Sequence, residues 1–65
     1  MDARSNRAEQ YARLFRKAGV FAGKGDLPAA IKTLEEGAAV AGANGDAEME
    51  QVFRDQIATH RHQLQ

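Results

Sequence analysis

The chain has 65 residues, nine basic and nine acidic side chains, and no cysteine. So short a chain makes one small domain, burying only roughly 60 % of the surface it exposes when unfolded, and without cysteine it has neither disulfide staples nor thiolate metal sites. Regular helix packing, or association with a partner, is left as the source of stability, as domains below about 70–80 residues require.

The first predicted helix runs from about Asn6 to Gly23, with Ser5 or Asn6 as its expected cap. Tyr11, Leu14, Phe15, Ala18, Phe21 and Ala22 recur at i, i+3, i+4 and i+7 and form one apolar face. Arg13, Arg16, Lys17 and Lys24 fall on the opposite face. Next comes the corner AGKGDLPAAI, residues 22–31. Gly25 suits the left-handed conformation that ends a helix. Asp26 suits the cap of the next one. Pro28 falls in a first turn, where no internal amide bond is lost.

The second predicted helix spans about Leu27 to Ala41. Leu27, Ala30, Ile31, Leu34, Ala38 and Ala41 make its buried face, and Lys32, Glu35, Glu36 and Ala39 face out. The corner then recurs as Gly42-Ala-Asn-Gly-Asp46, with Asn44 or Gly45 as the stop and Asp46 as the cap. The third helix spans about Ala47 to Gln63. Glu48 and Glu50 in its first turn suit the positive end of the helix dipole. Its stripe is Met49, Val52, Phe53, Ile57, His60 and Leu64, with Gln56 nearby. β-Branched residues are few and strand alternation is absent. Two short connections imply three antiparallel neighbours. The expected fold is all-α, a single three-helix domain over residues 1–65, with no linker and no low-complexity tract.

Charge is segregated along the chain. Residues 1–24 carry net +4, residues 25–50 net −5 and residues 51–65 net +1. This suggests a basic first helix lying beside an acidic second one, and it also permits head-to-tail or antiparallel self-association. The polar opening MDARSNRAEQ has no apolar segment of a signal peptide. No apolar run approaches the about 20 residues of a membrane span. No membrane association is expected, and the cysteine-free composition leads us to expect a cytoplasmic protein.

Helix, Gly-Asp corner, helix, Gly-Asp corner: over residues 11–44 this order resembles a tetratricopeptide repeat, followed by a capping third helix. That family uses a 34-residue helix-turn-helix with a W-x2-L-G-x2-Y…A-x3-F…P pattern. Leu14 stands in the large first slot, Ala18 in the small one and Phe21 in the aromatic one. Ala30 matches the alanine, Leu34 the large apolar slot and Gly37 the next small one. Small residues at Ala18, Ala30 and Gly37 would let two helix backbones approach closely. Lys17 occupies a slot that is usually apolar, and Gly42 replaces the usual proline. The resemblance implies a protein-interaction scaffold that holds peptides or partner helices. Arrays of such units are stable from about three repeats upward, so one unit plus a cap implies self-association. The chain also resembles microtubule-interacting-and-trafficking domains. These are three-helix bundles with the same Gly25-x-x-x-x-Ala30 type of corner, which bind helices in grooves. This resemblance is the weaker one, because His60-Arg61 matches poorly the aromatic–arginine pattern that family carries on its third helix.

Candidate chemistry is sparse. His60 and His62 lie two apart on a helix and so point about 200° apart. They cannot share one ion without unwinding, and no metal or other cofactor is expected. Glu35, Glu36, Glu48 and Glu50 are accompanied by no nucleophile, and GKGD lacks the full phosphate-loop pattern. No enzyme is expected. Arg13, Arg16, Lys17 and Lys24 form a stripe that suits an acidic protein partner or, in the alternative reading, a nucleic acid. Acidic residues elsewhere balance that stripe and no aromatic interleaves it. Tyr11, Phe15 and Ala22, at the outer edge of a wide apolar arc, together with Val20 on the charged side, are the expected protein interface. The expected function is a small interaction module, adaptor or assembly factor, that self-associates or binds a partner helix or peptide.

Overall fold

Two copies of one corner organise the chain. The computed structural model describes residues 3–64, with side chains from residue 6 onward. It contains α1 (Ala3–Gly23), α2 (Leu27–Ala43) and α3 (Ala47–Leu64). At the first corner the Asp26 amide donates to the Phe21 carbonyl (2.9 Å) and the Gly25 amide to that of Ala22 (3.0 Å). At the second, Asp46 donates to Ala41 (2.9 Å) and Gly45 to Gly42 (3.1 Å). Each pair of bonds is a Schellman motif, which satisfies carbonyls left over at a helix end. The glycine at its centre is left-handed, at φ 82° for Gly25 and 72° for Gly45.

The aspartate that closes each motif also opens the next helix. Asp26 Oδ1 accepts from the Ala29 amide, and Asp46 Oδ1 from that of Met49, both at 3.2 Å. Helix end and helix start thus share one residue, and no spacer separates them. Replacing Gly45 with alanine keeps every other contact, since open space surrounds its Cα. It forces an L side chain into the left-handed region, at about 1–2 kcal/mol. A urea titration should show that loss as a lower midpoint with unchanged slope.

The observed helices depart from the expected ones at their ends. Asn6 lies inside α1, which already begins at Ala3, so it is not a cap. The alternative cap, Ser5, has a side chain outside the described residues. α2 runs two residues past Ala41, because the left-handed residue that stops it is Gly45 while Gly42 stays helical.

The core holds Tyr11, Ala18, Ala30, Ile31, Leu34, Ala38, Ala41, Phe53 and Ile57, with Leu14, Phe15, Phe21, Ala22, Val40 and Met49 packed against it. Thr33 is the one buried polar residue among those described, and its hydroxyl donates to the Ala29 carbonyl at 2.9 Å. α1 and α3 each lie antiparallel against α2, while no Cα of α1 comes within 8 Å of one in α3. Side chains close that gap. The Phe53 ring, 0 % exposed, stacks on Phe15 (centroids 4.3 Å apart, planes within 4°) and meets the Tyr11 ring edge-on at 5.8 Å. Both are favourable aromatic geometries.

Gly37 makes room for this ring. A Cβ there would overlap Cε1, Cζ and Cδ1 of Phe53. Its smallness therefore serves the approach of α3 to α2 through that ring. The α3 stripe is narrower than expected: Val52 is 42 % and Leu64 52 % exposed. With only one backbone neighbour, α3 has no second surface on which to bury them.

Candidate functional site

The wide separation of α1 and α3 leaves a groove between their N-terminal halves. Its walls are Ala8, Tyr11, Ala12, Phe15 and Met49, and Arg7 and Asp46 stand on the rim. The groove measures about 530 Å³. Beneath it the buried Phe53 ring packs against Tyr11 and Phe15, two of the residues that line the groove.

Of the expected interface residues, Phe15 is half-buried and forms part of this wall. Tyr11 also lines the groove, but as a core residue 4 % exposed, which corrects its expected place on an outer edge. Phe53 reaches it from α3 and covers its ring. The Asn44 side-chain amide, at the C-terminal end of α2, donates to the Tyr11 hydroxyl at 3.1 Å. Ala22 is half-buried against the core, away from the groove. Val20 is 56 % exposed on the opposite side of α1. The four residues therefore do not form one surface. Tyr11→Phe should keep the ring contact and lose about 0.5–1.5 kcal/mol with the Asn44 bond, read as a lower urea midpoint.

Sequence periodicity missed Ala8, Ala12 and Met49 as groove residues. Ala8 and Ala12 carry little hydrophobic signal. The position of Met49 depends on the spacing between helices remote in sequence.

Arg13, Arg16, Lys17 and Lys24 are all exposed, as expected. Arg13 pairs with Glu9 on its own helix at 3.6 Å. Arg16, Lys17 and Lys24 meet no carboxylate among the described residues. The basic α1 does lie beside the acidic α2, but among the described residues no ion pair joins the two helices. Helix α2 turns Glu35 instead toward Arg61 of α3, at 3.4 Å, and Glu50 pairs with Arg54 within α3 at 2.8 Å. The physical reason is register: the basic stripe of α1 is diametrically opposite its core face and points away from α2.

A second, more polar groove runs between α2 and α3, with Ala38, Ile57 and Ala58 at its base and Glu35, Arg54 and Arg61 around it. His60 Nδ1 lies 3.3 Å from Gln63 Oε1, and His62 is exposed beside that groove. Among the described residues no three His, Asp or Glu side chains converge on one point. No described helix is long and apolar enough to cross a membrane.

These elements define an all-α three-helix domain with an apolar groove between its two outer helices. Compared with family models, with curated proteins and with solved structures, the chain matches none.

Proposed function

We propose that this domain is a small non-catalytic interaction module, an adaptor or assembly factor. In this reading it holds a partner helix or peptide, or a second copy of itself, through its apolar surfaces. The observation that carries the reading is the groove walled by Tyr11, Ala12, Phe15 and Met49. An amphipathic helix binds such a groove through apolar side chains spaced at i, i+3, i+4 and i+7. Arg7 and Asp46, of opposite sign on the rim, would fix the direction in which it lies. The tetratricopeptide-like resemblance belongs to this proposal. It is supported by the burial of Ala18, Ala30 and Leu34 and by the Gly25-Asp26 turn. A non-catalytic role is supported by the acidic side chains: Glu35 and Glu50 sit on separate helices, each engaged by an arginine. The cysteine-free composition supports a cytoplasmic setting.

The test is selection from a displayed library of amphipathic helical peptides. Selected peptides should lose binding to Ala8→Glu, which places a charge on the groove wall at an exposed position and should leave the circular-dichroism spectrum unchanged. Selection of no peptide, or of peptides that bind Ala8→Glu equally well, would sink the reading.

One observation favours a second reading. Arg16, Lys17 and Lys24 are unpaired among the described residues, and such a stripe suits a nucleic-acid backbone. Labelled DNA and RNA oligonucleotides should then bind with strong salt dependence, and Arg16→Glu/Lys17→Glu should abolish the binding.

A further inference from the structure

Two apolar side chains on the outside of the domain sit in opposite electrical surroundings. Val20 of α1 is 56 % exposed. Helical spacing places Arg16 and Lys17 beside it, at i−4 and i−3, and Lys24, just past the end of α1, donates its amide to the Val20 carbonyl at 3.2 Å. Val52 of α3 is 42 % exposed. The same spacing places Glu48 and Asp55 beside it, at i−4 and i+3. Neither group is neutralised internally. Arg16, Lys17, Lys24, Glu48 and Asp55 form no ion pair among the described residues, and the Asp55 carboxylate accepts from the Gln51 side-chain amide alone, at 2.8 Å.

The two faces cannot meet within one molecule. α1 and α3 turn their inner faces toward each other through Tyr11, Phe15 and Phe53. Val20 lies nearly opposite Tyr11 around α1, and Val52 lies well off the Phe53 direction around α3.

We infer that copies of this chain join head to tail, the Val20 face of one against the Val52 face of the next. This rests on the interaction-module reading but uses surfaces outside the groove. Pairing α1 with α1, or α3 with α3, would oppose like charges, which disfavours a two-fold contact through either face alone. A head-to-tail contact leaves a basic face free at one end and an acidic face free at the other. It therefore repeats, giving an open row or a closed ring. Each face offers one valine and a few exposed charges, so the association is weak, and salt controls it.

Sedimentation equilibrium tests this. At about 10 mM salt, where the Debye length is about 30 Å, average mass should rise steadily with protein concentration. At about 1 M salt, where it is about 3 Å, the mass should fall back toward that of one chain. Two variants remove one face each: Arg16→Gln/Lys17→Gln/Val20→Gln, and Glu48→Gln/Val52→Gln/Asp55→Asn. All six positions are exposed, so both should keep the parent circular-dichroism spectrum. Each variant alone should be monomeric, and an equal mixture should form dimers and nothing larger, since only one intact face of each kind remains. A parent chain that stays monomeric at low salt overturns the inference, as does association that either variant leaves intact or a mixture that stays monomeric. Ala8→Glu separates the two readings. If it abolishes association while the face variants do not, the head-to-tail contact falls and the groove reading stands.

Discussion

Phe53→Ala should leave the domain largely unfolded at room temperature. Removing a buried phenylalanine side chain costs about 3–5 kcal/mol. Stability of about 0.05–0.15 kcal/mol per residue gives a domain of this size about 3–10 kcal/mol in all. The lower part of that range applies, because so little surface is buried. The ring is 0 % exposed and touches Phe15 and Tyr11 on α1 while lying over Gly37 on α2. Its loss therefore opens contacts with two helices at once. Far-UV circular dichroism with a urea titration reads the effect. Val20→Ala, at an exposed position, is the control and should stay within about 0.5 kcal/mol of the parent. If Phe53→Ala melts near the parent, the packing of α1 against α3 through this ring is wrong.

Gly37→Ala should reverse the usual sign of a helix substitution. In a helix interior, alanine is favoured over glycine by roughly 0.5–1 kcal/mol. Gly19, in α1, has open space around it and should follow that rule as Gly19→Ala. At Gly37 the new methyl would overlap three atoms of the Phe53 ring. The ring cannot swing away, because Phe15 covers its face and Tyr11 meets it edge-on. Overpacking of this kind costs about 1–3 kcal/mol, and with three atoms overlapped the upper part applies. Gly37→Ala should therefore lower the thermal midpoint where Gly19→Ala raises it. A double-mutant cycle with Phe53→Leu isolates the cause. The pair should be less destabilised than the two single changes summed, by more than about 0.5 kcal/mol, because leucine withdraws the ring edge from the methyl.

The corners were legible in the sequence because their chemistry is local. A glycine with φ above zero and an aspartate three residues before a free amide need only a short window of chain, and both occurrences formed as expected. The buried face of α2 was legible for a related reason: α2 has a neighbour on each side, so its apolar stripe is wide and clear. The faces of α1 and α3 were harder. Periodicity gives a direction around a helix but not the breadth of what lies there. Tyr11 looked like the edge of an arc because nothing local announces that Phe53, 42 residues on, will cover it. Val52 looked like core because its spacing from Met49 is helical, yet α3 has a single backbone neighbour. The groove is a property of the gap between α1 and α3, and no stretch of sequence contains that gap. The charge blocks were visible, but their partners were not, because pairing depends on which way each stripe turns.

The arrangement of backbone contacts bears on how quickly the fold is reached. α2 touches both neighbours in the chain, and α1 and α3 do not approach through their backbones at all. Every interhelical backbone contact therefore lies within one hairpin, between helices that are neighbours in the chain. Chains with so local a contact pattern cross their folding barrier in microseconds to milliseconds. Either hairpin can form first, and the Phe53 ring, which packs on α1 and over Gly37 of α2, would lock into place last. Mutations at Phe53 should thus accelerate unfolding far more than they slow folding, so the ring governs how long the folded state lasts rather than how fast it is found.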